Sequence, residues 1–156
     1  MITHLDTQNN PAMVDVSAKQ VTHRTATARS IVLLPADVLE HLAGDELQSK
    51  KGPVFQTAII AGIMAAKKTG DLIPLCHPLG LENCNLAIGL NEQREVVIDC
   101  TASITAKTGV EMEALVGASI AALTVYDMCK AMSHDIVIKE TKLIEKTGGK
   151  RDFKRA

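Results

Sequence analysis

The sequence predicts one α+β domain of the ferredoxin-like type, with the order β-α-β-β-α-β and the helices packed on one face of an antiparallel sheet. Three observations favour this fold. The chain has 156 residues, a length typical of a single domain. Segments with strand-like alternation are separated by two segments with helical spacing of apolar residues. Hydrophobic residues make up 46% of the chain and aromatic residues only 2%, so small aliphatic side chains must fill the core and allow close helix-on-sheet packing.

The first half of the chain is predicted to contain one strand and two helices. Thr and β-branched residues accumulate over 21–34, which favours a strand that ends at Pro35. A short helix is predicted over 35–44, with Pro35 at its start and Gly44 as its C-cap. The main helix of this half is predicted over 54–70, because basic residues and Gly70 mark its end.

The second half is predicted to contain a hairpin, a long helix and a final strand. Two prolines make 71–80 a rigid loop. Strand-like runs over 82–90 and 94–106 predict the hairpin. The apolar segment 110–132 begins with two Glu residues and predicts a buried or interface helix. Alternation over 134–146 predicts the last strand, which is half exposed.

The domain is expected to span residues 13–146. Residues 1–12 are polar and contain an Asn-Asn-Pro breaker, so they predict a flexible N-terminal segment. Residues 147–156 are basic and glycine-containing, and they predict a mobile tail.

Composition excludes several classes of function. Lys and Arg number 17 against 18 Asp and Glu, so the chain has no overall positive field and nucleic-acid binding is disfavoured. Gly or charge interrupts the apolar stretches, so no membrane span is expected. The four cysteines form no CxxC, and reduced thiols in a cytoplasmic protein are expected. No HxxxH or HExxH pair is present, so the sequence predicts no metal site.

Asp127 and Lys130 lie three residues apart on the predicted long helix, where they share a face. A plain surface ion pair is one interpretation of this spacing. Asp127, however, lies near the helix C-terminus, where the dipole disfavours negative charge, and it follows an apolar run. A carboxylate placed there predicts a general acid or base with a perturbed pKa, and the Lys would supply protons or hold phosphate.

Glu111 and Glu113 begin the same helix, where complementing the helix dipole accounts for Glu111. Glu113 precedes Asp127 by nearly four helical turns, so both project to one side of the helix about 21 Å apart. A small molecule cannot easily contact both on one chain. If both bind substrate, we expect a pocket shared between symmetry-related copies.

Other candidates lie in loops. His77 follows Cys76 in the rigid loop and could contact a ligand or serve as the base of a Cys76 nucleophile. Adjacent residues of an extended loop point to opposite sides, however, which favours a buried structural Cys76. Lys51 and Lys146 each adjoin glycine, where backbone amides can approach an anion. No P-loop or GxGxxG is present, so any phosphate would be held by basic side chains.

Five strings read together identify a family resemblance: MVDVS (13–17), KKG (50–52), DLIPLCHPL (71–79), KTGVEMEAL (107–115) and YDMCKA (126–131). They resemble the cyclic pyranopterin monophosphate synthase (MoaC) family of molybdenum-cofactor biosynthesis. The likeness covers nearly the whole chain from Met13 to about Phe153. The strings DLIPLCHP and TGVEMEAL are highly specific.

The resemblance implies a lyase that converts (8S)-3',8-cyclo-7,8-dihydroguanosine 5'-triphosphate to cyclic pyranopterin monophosphate and releases pyrophosphate. It implies a homohexamer, a trimer of dimers with sites at the dimer interface. No cofactor is required, and the question of Mg²⁺ accompanying the triphosphate stays open. By matching motif, the implied catalytic residues are Asp127, Lys130, Lys51 and Lys146. The implied substrate-binding residues are Leu75, Cys76, His77, Met112, Glu113 and Arg24.

One competing function class is a non-catalytic ferredoxin-like module that binds a small anion or acts as an assembly unit, because this fold hosts many unrelated functions. Substitution of Asp127 separates the two classes, since only an enzyme would lose turnover while assembly and ligand binding persist.

Overall fold

The computed structural model describes residues 5–156, which form two antiparallel sheets and four helices. Residues 1–4, the start of the predicted flexible segment, lie outside the described residues. The strands and helices have the bounds β1 Thr22–Leu33, α1 Ala36–Leu39, β2 Leu42–Ala43, β3 Glu46–Ser49, β4 Gly52–Pro53, α2 Val54–Ala66, α3 Thr69–Leu72, β5 Asn83–Leu90, β6 Val96–Ala106, α4 Glu111–Cys129, β7 Val137–Thr147 and β8 Phe153–Lys154. The larger sheet has the order β5-β6-β1-β7-β8 and the smaller one β2-β3-β4.

The core lies between the larger sheet and the helices α2 and α4. Alternate residues of β1 and β6 are buried beneath the helices, whereas the residues between them are more exposed. The predicted α+β class, with helices packed on an antiparallel sheet, is therefore confirmed.

Small residues let the two long helices approach each other closely. A Cβ added to Gly62 of α2 would lie 2.9 Å from the Gly117 carbonyl oxygen of α4. A Cβ added to Gly117 would in turn meet the Cys100 sulfur of β6 at 2.5 Å. The scarcity of aromatic side chains predicted close packing of helix on sheet, which the contact between Gly117 and Cys100 shows, whereas the close approach of the two helices was not predicted.

The helix α4 is more apolar than the sequence interpretation allowed. The helix has 19 residues, and an 18-residue window of it has a mean hydropathy of 1.3, so its length and composition are those of a membrane span. However, 56% of that window is buried inside the protein, which is typical of a core helix. The buried part of its apolar surface packs against α2 and the larger sheet.

Two predicted helix ends were wrong. The first helix ends at Leu39, because Leu42 and Ala43 pair with β3 instead. Gly44 has a φ of +62° and forms the turn of that hairpin, a conformation that favours glycine. The next helix ends at Ala66, and Gly70 lies within the short helix α3 rather than at a C-cap.

The C-terminal residues return along the edge of the larger sheet. Phe153 and Lys154 pair with Lys146 and Glu145 of β7. The domain bounds of 13–146 and the mobility of the segments on either side stay predictions.

Candidate active site

The predicted site residues form three groups around α4. At its C-terminal end lies the acid–base cluster, which we define as Lys51, Asp127 and Lys130. At its N-terminal end lies the loop pocket, which contains Leu75, Cys76, His77, Met112 and Glu113. Beside this pocket lies the basic cavity, which contains Arg24 and Lys146.

Two ammonium groups flank the carboxylate of Asp127. Lys51 Nζ lies 2.8 Å from Asp127 Oδ2 and 3.4 Å from its backbone carbonyl oxygen. Lys130 Nζ lies 3.2 Å from Asp127 Oδ1. Lys130 follows the last residue of α4, so helical spacing brings it beside Asp127, whereas Lys51 comes from the turn between β3 and β4. Each carboxylate oxygen therefore has its own ammonium partner.

These partners set the protonation state of Asp127. The Lys51 hydrogen bond, followed by that of Lys130, lowers the pKa of the Asp127 carboxyl below its ordinary value. The predicted perturbation is therefore downward, because the hydrogen bonds from the two cations outweigh the opposing effect of burial. The side chain is 53% exposed and faces a cavity of about 570 Å³. The carboxylate is thus ionised and accessible, as a proton acceptor requires.

Apolar residues complete the wall of this cavity. Met128, Ala131 and Met132 line it beside the acid–base cluster, together with His41 and Gln48. Sequence reasoning did not single out these residues. The only available signal was that the methionines and Ala131 follow Asp127 around the helix end.

The loop pocket joins the rigid loop to the first turn of α4 around a cavity of about 530 Å³. His77 Nε2 donates a hydrogen bond to the Val14 carbonyl oxygen at 2.7 Å. This bond holds the N-terminal segment against the loop, so Val14, Val16 and Lys19 also line the pocket. All three were missed as site residues from the sequence, because only the folded chain shows where this segment runs.

Glu113 is the buried carboxyl of the loop pocket, with only 3% of its surface exposed. Burial raises the pKa of Glu113, its own backbone N–H partly offsets this, and the charge of Glu111 adds to the rise. Burial also raises the pKa of the Cys76 thiol, and the charge of Glu113 adds to that effect. The Cys76 thiol therefore stays neutral, which argues against a Cys76 nucleophile because the thiolate is the reactive form.

The basic cavity, of about 530 Å³, adjoins the loop pocket, since Lys19, Glu111 and Lys150 line both. Lys146 Nζ lies 3.4 Å from Glu111 Oε1. Lys19 and Lys150 were not predicted as site residues. Lys19 gave no signal in the sequence, and Lys150 appeared only as part of the basic tail.

Arg24 lines the basic cavity and has a buried donor atom. Its Nε is buried and, within the described part of the chain, has no hydrogen-bond partner, although buried polar groups are normally paired. The cavity wall includes the backbone of Gly148, which has a φ of +90°. A Cβ at this position would collide with the His23 carbonyl, so only glycine fits here. Arg24 could therefore pair with an anion placed in this cavity.

The acid–base cluster and the loop pocket are far apart on one chain. Glu113 and Asp127 are fourteen residues apart on α4, which corresponds to about 21 Å along a helix. The structure thus brings the predicted residues together within each group but does not join the two ends in a single subunit. Among residues 5–156, no group of three or more His, Cys, Asp or Glu side chains is placed to hold a metal ion.

Comparison with known proteins gives a consistent result. A model of the MoaC family matches residues 13–149. A Xanthomonas campestris protein called cyclic pyranopterin monophosphate synthase is 55% identical over 152 residues, which cover 97% of this chain and 92% of that protein.

Two longer relatives match over part of their length. The molybdenum cofactor biosynthesis bifunctional protein of Synechocystis is 54% identical over 156 residues, and the match covers 97% of this chain and 45% of that protein. Molybdenum cofactor biosynthesis protein 1 of Dictyostelium discoideum is 52% identical over 156 residues, covering 90% of this chain and 25% of that protein. The chain spans less than half of these two proteins and nearly all of the Xanthomonas protein. Because the family model covers most of the chain, this protein belongs to the MoaC family.

Proposed function

We propose that this protein is a cyclic pyranopterin monophosphate synthase, a lyase of molybdenum cofactor biosynthesis. Its substrate would be (8S)-3',8-cyclo-7,8-dihydroguanosine 5'-triphosphate, and its products cyclic pyranopterin monophosphate and pyrophosphate. A relative of that name is 55% identical over almost the full length of both chains. The observation that carries the proposal is the contact between Asp127 and two lysines at a cavity.

The acid–base cluster suits the rearrangement of the purine ring to a pterin. That rearrangement requires several proton transfers, which a carboxylate and amines can perform. Asp127 is ionised because its pKa is lowered by Lys51 and Lys130, so it would accept a proton from the substrate. The neighbouring ammonium groups would donate protons or stabilise developing negative charge.

The basic cavity suits the triphosphate. Formation of the cyclic phosphate breaks the bond between the α-phosphorus and the pyrophosphate oxygen, and the leaving pyrophosphate carries added negative charge. Arg24 and Lys146 line the cavity together with Lys19 and Lys150. Clustered cations of this kind stabilise that charge. Leu75, Cys76, His77, Met112 and Glu113 would contact the rest of the substrate from the adjoining loop pocket.

The full site would combine the acid–base cluster of one subunit with the loop pocket and basic cavity of another. A homohexamer, a trimer of dimers with sites at the dimer interface, would satisfy this requirement. Ile60 and Met64 of α2 and Leu123 of α4 are large apolar side chains more than half exposed in the single chain, as expected of residues that a second copy covers.

Three further expectations belong to the same proposal. The sheet order β5-β6-β1-β7, with α2 and α4 as the connecting helices, supports the ferredoxin-like arrangement. The reaction is redox-neutral, so no cofactor would be required, and any Mg²⁺ would accompany the triphosphate. The enzyme would act in the cytoplasm.

The direct test is incubation of the purified protein with the cyclised GTP substrate and detection of both products by mass spectrometry. Equimolar pyrophosphate and pterin monophosphate are expected. If a folded oligomer binds the substrate but forms neither product, the non-catalytic module is the better interpretation.

A further inference from the structure

The turn that carries Lys51 is held by hydrogen bonds that the mechanism above does not use. Lys51 lies between β3 and β4, just before α2. Gly52 has a φ of +111°, a conformation that side chains other than glycine rarely adopt. The position of the Lys51 ammonium therefore depends on how firmly this turn is attached to the rest of the domain.

Glu46 ties the turn to the start of α2. Its Oε1 accepts the N–H of Leu47 at 2.7 Å and the N–H of Phe55 at 2.8 Å. Its Oε2 accepts the N–H of Gln56 at 3.1 Å. One carboxylate thus joins the first residues of β3 to the first turn of α2 and closes the intervening loop on itself.

Helix α2 needs this partner because its own N-cap supplies none. The N-cap residue is Pro53, whose side chain makes no capping hydrogen bond. The first N–H groups of a helix have no partner within the helix. A carboxylate also suits this place because of the positive end of the helix dipole. Glu46 therefore caps α2 from outside the helix.

Ser49 fixes the turn itself. Its Oγ accepts the N–H of Lys51 at 3.1 Å and donates to the Gly52 carbonyl oxygen at 3.1 Å. The Lys51 backbone is thereby held on both sides, by Ser49 directly and by Glu46 through the loop ends. At the far end of the side chain, Lys51 Nζ contacts both the carboxylate and the backbone carbonyl of Asp127.

We infer that Glu46 is a positioning residue, which with Ser49 holds the Lys51 ammonium against Asp127 in the proposed reaction. Glu46 would not contact the substrate. Its effect would pass through the Lys51–Asp127 contact, and this part of the inference rests on the proposed function.

The test follows the Asp127 carboxyl group without any substrate. Carbon-13 NMR titration of the oligomer gives the pKa of Asp127, whose signal is assigned by its loss in the Asp127→Asn variant. Because the Lys51 hydrogen bond is the largest cause of the lowered pKa, Glu46→Ala should raise this pKa towards the value found in Lys51→Met. Ser49→Ala should change it in the same direction by a smaller amount.

The turnover readout separates positioning from general destabilisation. Glu46→Ala should lower kcat roughly 10- to 100-fold, as expected when a catalytic group is displaced by about 1 Å, with a smaller change in KM. The acid limb of its pH–rate profile should move to higher pH. Asn91→Ala is the matched control, because Asn91 makes two hydrogen bonds to Glu95 in the distant hairpin; it should lower the Tm and leave the Asp127 titration unchanged.

A folded Glu46→Ala protein with an unchanged Asp127 pKa would overturn the inference. If Glu46→Ala does not fold, the Asp127 titration is repeated in Glu46→Gln and Ser49→Ala. A wild-type Asp127 titration curve in both of these variants would overturn the inference. The absence of turnover in the wild-type protein would contradict the proposed function but would leave the titration result standing.

Discussion

The ammonium group of Lys51 lies 2.8 Å from the carboxylate of Asp127, although the two residues are 76 positions apart in the chain. Asp127 comes from the last turn of α4, and Lys51 comes from a two-residue turn before α2. The packing of α2 against α4 brings these positions together. Since Lys130 contacts the other carboxylate oxygen, the three side chains form one cluster in which both carboxylate oxygens of Asp127 have a cationic partner.

Replacement of Asp127 by Asn should remove the proton acceptor and keep the shape of the side chain. We expect turnover to fall roughly 10²- to 10⁴-fold, the usual contribution of general acid–base catalysis. Substrate binding by calorimetry and the oligomeric state should change little, because the side chain is 53% exposed. Wild-type pyrophosphate release by this variant would refute the assignment.

Replacement of Lys130 by Met should shift the pH dependence of turnover. Lys130 contributes to the lowered pKa of Asp127, so its loss raises that pKa towards the ordinary value. Activity requires the ionised carboxylate and is lost as pH falls through its pKa. The acid limb of kcat/KM should therefore move to higher pH. The control is Lys68→Met, which removes the same charge at an exposed position away from the acid–base cluster. An unchanged acid limb of kcat/KM in Lys130→Met would contradict the effect of Lys130 on the Asp127 pKa.

Replacement of Lys146 by Met should weaken binding of the triphosphate. A hydrogen bond to a charged group contributes about 1.5–3 kcal/mol, so we expect roughly a 10- to 100-fold increase in the Kd for substrate. The control is Lys142→Met on the same strand, where the lysine pairs with Glu140. Equal effects of the two variants, measured at one ionic strength, would indicate a general charge effect instead of a phosphate site.

Replacement of Glu113 by Gln should stabilise the protein at neutral pH while impairing substrate binding. Burial raises the pKa of Glu113 in the folded state, so ionisation of this carboxyl favours unfolding. The stability that the neutral Glu113 carboxyl provides in the wild-type protein is intact below the pKa of the unfolded state. It is lost as pH rises through the pKa of the folded state. The Tm of Glu113→Gln should exceed that of wild type at pH 7, and the difference should vanish at acidic pH. A lower Tm at pH 7 would contradict this account.

A site shared between copies predicts that inactive subunits rescue each other. When Glu113→Gln and Asp127→Asn proteins are mixed and reassembled, half of the dimers would be mixed, and one of the two sites in each would be intact. Activity should therefore return to about a quarter of the wild-type value. If each copy holds a complete site, the reassembled mixture stays inactive, so the pyrophosphate assay distinguishes the two arrangements.

The secondary structure could be predicted from the sequence wherever the pattern was long. The alternation of β1 and the hairpin β5–β6 predicted their strands, and the apolar run of α4 predicted its helix. Helix ends were predicted less well. Leu42 and Ala43, at the end of the first predicted helix, pair with β3 instead, because backbone pairing with a neighbouring strand outweighed local helix propensity. Family motifs also supplied candidate residues for the acid–base cluster and the loop pocket, and the roles of these residues stay predictions.

Most contacts between site residues depend on how distant segments pack in the folded chain. Helical spacing predicted the pairing of Asp127 with Lys130, since a contact between residues three apart is a local property of a helix. The contact of Lys51 with Asp127, the His77 bond to Val14 and the closeness of the Gly148 backbone to His23 and Arg24 depend on packing between distant segments. The direction of the Asp127 pKa shift follows from the same packing, because the hydrogen bond from Lys51, which is distant in the chain, is its largest cause and the bond from Lys130 adds to it.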